Sequence, residues 1–226
     1  MIPTATIFSA VPLEAKAIAA ALSASSPRPT LPVQSTFRNI QVIHHLIGIR
    51  AIGLPKLTIN PDTRYIIMAG VAGGLDPKLA IGDLILGDCP ETLMSGMGIP
   101  HGSIHTSDQL ASSMQEKSEL YIECGASVVD METAKARDFA AERNIPFISL
   151  RAVSDSANHS LDPSLLTLVD AWGRPRPTAI ARFLAANPLR ARSLIQLSHD
   201  SSLAARRLGE GVIKILEQIA IAHPVP

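Results

Sequence analysis

Apolar positions along the chain follow two different rhythms. Short, β-rich apolar runs recur at Thr6–Val11, Ile40–Gly48, Tyr65–Val71, Asp83–Asp88, Ser127–Met131 and Pro146–Asp155. Their length and their glycine, proline or polar borders predict strands. Between several of them the apolar spacing becomes helical, over Leu13–Ala24, Ser107–Leu120 and Glu132–Asn144. This alternation predicts an α/β sandwich whose sheet is largely parallel and covered on both faces. From Leu161 onward no run reads as a strand. Helical patterns cover Thr178–Ala186, Arg190–Leu208 and Glu210–Ala222, with Pro175, Pro177, Pro188 and Gly209 as expected breaks.

Length and composition change this picture little. A chain of 226 residues with 46% hydrophobic content can bury one sizeable core, so residues 1–226 are expected to form a single domain with a helical C-terminal region from about residue 161. Charge is more informative. The formal net charge is zero, yet beyond residue 170 eight basic residues face three acidic ones. Interleaved with Ile and Leu, they suggest peripheral contact with an anionic membrane; helices packed on the domain with solvated charges explain them equally well. No apolar run is long enough to cross a bilayer and the start lacks the charged region of a signal peptide, so a cytoplasmic protein is expected. Cys89 and Cys124 stand far apart without clustered ligands and are expected to be reduced, small core residues. His44 and His45 share a strand-like run in which at most one is expected to face the core, and the other histidines have no metal-ligand spacing. No metal, other cofactor or nucleic-acid partner is expected.

Four acidic or glycine-containing segments carry candidate chemistry. Ser127–Phe139 runs from an apolar pair into Asp130, Met131 and Glu132, and acids there suit a helix N-terminus. Ala69–Ile85 follows a strand with Val71, Ala72 and Gly73, small enough in part to let a ligand approach the backbone; by itself this is a turn. Phe147–Ala157 ends in Ser154 and Asp155 at the carboxyl edge, where open α/β sheets hold ligands, although the pair also suits a helix cap. Glu14 follows the first strand as a first-turn helix acid.

Together these segments resemble the nucleoside phosphorylase and nucleosidase superfamily. Val129–Ala157 is similar to its V-E-M-E segment, following helix and R-x-x-S-D strand end, and Ala69–Ile85 to its T-G-S-A-G-G-L…V-G-D motif. The resemblance implies a nucleoside phosphorylase-like three-layer α/β/α sandwich with a mixed, partly barrel-like central sheet, assembled as a homodimer or higher homo-oligomer. Residues 154–184 and 187–208 look like the hopanoid-associated branch, which acts on adenosylhopane, a lipid-linked nucleoside.

Carried onto this sequence, the resemblance makes Asp155 the acid that protonates the departing purine, a role expected to need burial among apolar neighbours to keep it neutral. Glu132 becomes the acceptor for two ribose hydroxyls, and Met131 an apolar surface against the sugar. Ser154, Val71, Ala72 and Gly73 fall in the same substrate-binding segments, and Asp130 reads as an outer or capping residue. Glu14 stands where related phosphorylases have an arginine, Ala10 where they have a glycine, and Val71 where the family has a serine. An acid there repels phosphate and can take a proton from water, so hydrolysis is favoured over phosphorolysis. The expected activity is release of adenine from a 5′-substituted adenosine. The alternatives are a methylthioadenosine/S-adenosylhomocysteine nucleosidase, a purine nucleoside phosphorylase and a non-catalytic nucleoside-binding protein. Two departures bear on the substrate. The interval between Asp88 and His105 is short, and Leu110 lies near the usual place of a base-stacking aromatic. Either the site is open to a bulky 5′ group or it is too incomplete to turn over.

Overall fold

The computed structural model describes residues 3–186 and 190–224. Its elements in chain order are β1 (Thr4–Ser9), α1 (Pro12–Ala21), β2 (Val33–Phe37), β3 (Ile40–Leu46), β4 (Thr63–Gly74), β5 (Leu84–Leu86), α2 (Glu91–Met94), β6 (Ile104–Thr106), α3 (Met114–Cys124), β7 (Val128–Asp130), α4 (Thr133–Ala141), β8 (Phe147–Asp155), a 3₁₀ turn (Pro163–Leu168), α5 (Pro177–Ala186) and α6 (Arg190–Ala222). One sheet joins all eight strands. Its path is β2-β3-β1-β4-β7-β6, and β8 pairs with both β4 and β5. The pairs β1–β3, β1–β4, β4–β8 and β6–β7 are parallel, whereas β2–β3, β4–β7 and β5–β8 are antiparallel. The sheet is therefore mixed, with parallel pairing concentrated in its long central strands.

Helices cover both faces. On one, Ile7 and Ile67 pack with Ile18 of α1 and with Leu208, Val212, Ile215 and Ile219 of α6. On the other, Phe8 and Met68 pack with Ala136 and Phe139 of α4. Burying each large side chain contributes roughly 1.5–3 kcal/mol, enough to hold the central strands and the loops at their ends in fixed register. The three-layer α/β/α architecture is the expected one, and all named elements after Leu161 are helical.

Several local expectations need correction. Gly209 does not break a helix: α6 runs through it, and a methyl group there would stand 2.9 Å from the Ala17 carbonyl oxygen and 3.2 Å from Ala21 of α1. This glycine permits close contact between α6 and α1, at a cost of about 1 kcal/mol in a helix interior. Pro177 opens α5, as a residue with fixed φ and no donor should. Pro188 lies outside the described residues. The helix expected from Ser107 starts only at Met114, where Ser113 and Glu116 form a reciprocal cap, and Gly125 closes it at φ 62°.

His44 and His45 are both buried, at 2% and 5% exposure, because β3 is covered on its two faces. Burial lowers the pKa of His45 to about 4, and burial together with the neighbouring His45 lowers that of His44 to about 3. Both are neutral at ordinary pH. The cysteines are free, but Cys124 is exposed at the end of α3 and Cys89 is half-buried, so neither is a full core residue. Among the described residues, no helix is long and apolar enough to cross a membrane.

Candidate active site

The carboxyl ends of β1, β4, β7 and β8 meet around a cavity of about 250 Å³. Glu14 enters from the first turn of α1, Val71, Ala72 and Gly73 from the end of β4, and Met131 and Glu132 from the link between β7 and α4. Ser154 and Asp155 come from the end of β8. All eight residues singled out in the sequence thus line one cavity, although they are spread over more than 140 positions of the chain. Leu110 lines it as well.

Glu14 is held at three points. Its Oε2 accepts from the backbone N–H groups of Ala10 (2.8 Å) and Val11 (3.0 Å), and its Oε1 from that of Val71 (2.8 Å). It is both the first-turn acid of α1 and a wall of the cavity, with 2% exposure. Burial raises its pKa, opposed by the Arg151 charge and by the three backbone donors.

Glu132 accepts from the Arg50 backbone N–H at 2.9 Å, across a turn in which Arg50 and Ala51 both have positive φ. Burial raises its pKa to about 7; Arg151 opposes the rise, and Asp130 and Glu14 add to it. At neutral pH this group sits near half-protonation.

Arg151 is the arginine of the R-x-x-S-D strand end, although no role was assigned to it from the sequence. Its guanidinium lies fully buried behind the cavity, where Nη2 donates to Asp130 Oδ2 and to Thr133 Oγ1 (2.7 Å). Nη1 has no partner among the described residues. Gly70 makes room for this arrangement: a methyl there would collide with Nη1 and stand 2.9 Å from Glu14 Oε1. One cation therefore serves Asp130, Glu132 and Glu14. Asp130 has the outer, capping character expected, since its Oδ2 also accepts from the Thr133 N–H at 2.9 Å and its Oδ1 from Thr106 Oγ1 at 2.8 Å.

Asp155 departs from expectation. Its neighbours are not all apolar: Lys117 of α3, fully buried, places Nζ 2.5 Å from Asp155 Oδ2. Ser154 Oγ donates to Asp155 Oδ1 at 2.7 Å. Asp155 is thus paired with a buried cation and a hydroxyl, not set among apolar groups alone. Lys117 had no sequence signal, because a lysine between Glu116 and Glu119 reads as one of a solvated helix face.

Apart from Gln109, the remaining wall is apolar. Leu161, Leu165 and Leu166 around the 3₁₀ turn and Leu197 of α6 close one side of the cavity. None of the described residues lining it is Lys, Arg or His.

Comparison with known proteins bears on the fold and on part of the chain. A family model described as the phosphorylase superfamily matches residues 92–185. The 5′-methylthioadenosine/S-adenosylhomocysteine nucleosidase of Mycobacterium bovis is 25% identical over 191 residues, an alignment covering 55% of this chain and 75% of that protein. The solved nucleosidase of the same name from Helicobacter pylori superposes with a TM-score of 0.70 at 16% identity, covering 96% of this chain and 98% of the other. The chain has the nucleosidase fold. A futalosine hydrolase mutant from Helicobacter pylori shares that fold, with a TM-score of 0.70, 16% identity and coverage of 96% and 99%. The resemblance read from Val129–Ala157 agrees with the phosphorylase-superfamily match, which contains that segment, and the fold expected from the two motifs together is the one found.

Proposed function

We propose that this protein cleaves the N-glycosidic bond of a 5′-substituted adenosine and releases adenine, with water rather than phosphate as nucleophile. The observation that carries the reading is the convergence of Glu14, Glu132 and Asp155 on one cavity at the strand ends. Bond cleavage develops positive charge on the sugar and negative charge on the departing base. Glu14 takes the proton of an attacking water, Glu132 accepts from the ribose hydroxyls, and Asp155 hands a proton to the base. Met131, Ser154 and the Val71–Gly73 backbone complete the binding surface. The absence of a lining cation among the described residues supports water: phosphate would enter a cavity edged by carboxylates, with the buried Arg151 already held by Asp130.

The leucine wall supports an apolar 5′ substituent, and adenosylhopane, in hopanoid side-chain synthesis, is the substrate we favour. A methylthioadenosine/S-adenosylhomocysteine nucleosidase is the second reading, supported by the names of the relatives. A panel of 5′-substituted adenosines, assayed for free adenine with and without phosphate, tests both. Preference for long apolar 5′ groups, a free ribosyl product and no acceleration by phosphate are expected. Strict phosphate dependence with a 1-phosphate sugar would restore a phosphorylase. Preference for methylthioadenosine would support the second reading, and no release from any member would leave a nucleoside-binding protein.

The same reading includes cytoplasmic location, homo-oligomeric assembly and docking of the basic C-terminal region on an anionic membrane. α5 has no fully buried residue and carries Arg182 beside Phe183 and Leu184, and Ile195 of α6 is 71% exposed. Co-sedimentation at low salt with anionic but not neutral vesicles is expected. Equal, negligible binding to both would remove membrane docking from the reading.

A further inference from the structure

Lys117 is a fully buried lysine whose ammonium has only three neighbours in bonding reach among the described residues: Asp155 Oδ2 at 2.5 Å and the carbonyl oxygens of Ser156 and His159, both at 2.9 Å. Burying an ammonium is costly unless it is paired and hydrogen-bonded. All three of its donors are used here, two of them on carbonyls of the segment that follows β8. The other charged groups of that stretch of α3 turn elsewhere, Glu116 to Ser112 and Ser113 and Glu119 to Gln115. The ammonium thus faces a single titratable side chain, the one that lines the cavity.

We propose that Lys117 is a positioning residue that acts through Asp155: it fixes the carboxyl group and holds the proton that Asp155 passes to the departing base. This rests on the nucleosidase reading above. In the resting pair the proton sits on Nζ and Asp155 is a carboxylate. As the C1′–N bond breaks, its electron pair goes to the base. A proton leaves Nζ for the Asp155 carboxyl, and the carboxyl gives one to a base nitrogen, leaving a neutral amine. Solvent reprotonates that amine after the product departs. A proton store next to the acid removes the need for an apolar setting that keeps a lone carboxyl neutral.

Two variants separate relay from mere support, with folding followed by thermal melting and activity by adenine release. In Lys117→Met, Asp155 must take its proton from solvent. Its kcat is expected to fall by about 100-fold or more at pH 8 and to recover toward wild type as the pH is lowered to 5. In Lys117→Arg the charge is kept, but a guanidinium does not give up its proton. That variant is expected to stay slow across the same range, and it carries the test if the methionine variant does not fold. Wild-type turnover in Lys117→Arg, or a pH profile of Lys117→Met parallel to that of wild type, overturns the relay while leaving the nucleosidase reading intact. A wild-type protein that releases no adenine from any 5′-substituted adenosine overturns that reading and the relay with it.

Discussion

Replacing Glu14 with alanine is expected to leave a folded protein whose single-turnover release of adenine is slower by on the order of 100- to 10,000-fold, the range associated with loss of a positioned base. The expectation follows from how the group is held. Three backbone donors, from Ala10, Val11 and Val71, converge on its two oxygens, and Arg151 lies behind it. Such a carboxylate is immobile, while burial makes it a better proton acceptor than an exposed glutamate. Alanine is the cleaner probe, because a glutamine amide would point its own donors at one of those N–H groups. Losing the contacts to the start of α1 costs about 0.5–2 kcal/mol by analogy with helix caps, so activity is to be compared well below the melting temperature. An alanine variant that keeps or gains turnover when phosphate is supplied would remove Glu14 as base and favour phosphorolysis.

Glu132→Gln is expected to lower kcat/KM by about 100-fold, the cost of removing a preorganised contact that strengthens in the transition state. It is also expected to change the pH profile. The wild-type carboxyl is held near pKa 7 by burial, with Asp130 and Glu14 adding to the rise. The ionised form accepts from the two hydroxyls more strongly than the protonated one, so wild-type kcat/KM should climb as pH rises through about 7, and the glutamine variant should lack that step. Stability moves in the opposite direction. Because the folded protein binds this proton more tightly than the unfolded chain does, the contribution is complete below the unfolded value of about 4.5 and is lost as pH rises through about 7. Thermal melting across that interval should therefore show Glu132→Gln losing less stability with rising pH than wild type. A folded variant with unchanged turnover would reduce Glu132 to a helix-terminal acid.

The sheet and the polar half of the site were legible in the sequence because both are local. Strand ends carry their own markers, so the positions of Ser154, Asp155, the Val71–Gly73 turn, Glu14 and Glu132 could be read where they stand; taken alone they read as turns and caps, and their joint place in one site came from the family resemblance. Other features depend on distant partners. β2 has polar residues on its exposed side, and β6 is three residues long, too short for any period to emerge. Gly209 has the sequence appearance of a helix break, and only the backbone of α1 beside it explains its presence. Lys117 and the leucines of the cavity wall sit in ordinary amphipathic patterns, and nothing local says which side they face. Arg151 was seen as part of the R-x-x-S-D strand end but given no role, although a charge inside an apolar strand covered on both faces needs a buried partner, and Asp130 was the available one.

That single guanidinium among Glu14, Asp130 and Glu132 has an electrostatic consequence for what the cavity prefers to hold. With all three carboxylates ionised, the cluster has two negative charges that Arg151 cannot balance; burial raises the pKa of both Glu14 and Glu132, and at Glu132 the charges of Asp130 and Glu14 add to the rise. A neutral nucleoside does not supply the missing charge. A ribosyl group that is losing its base does, at the moment when the C1′–N bond is longest. A sugar mimic with a permanent positive charge in the ring would hold that complementarity throughout its stay, and its binding would expel protons from the cluster rather than merely displace water.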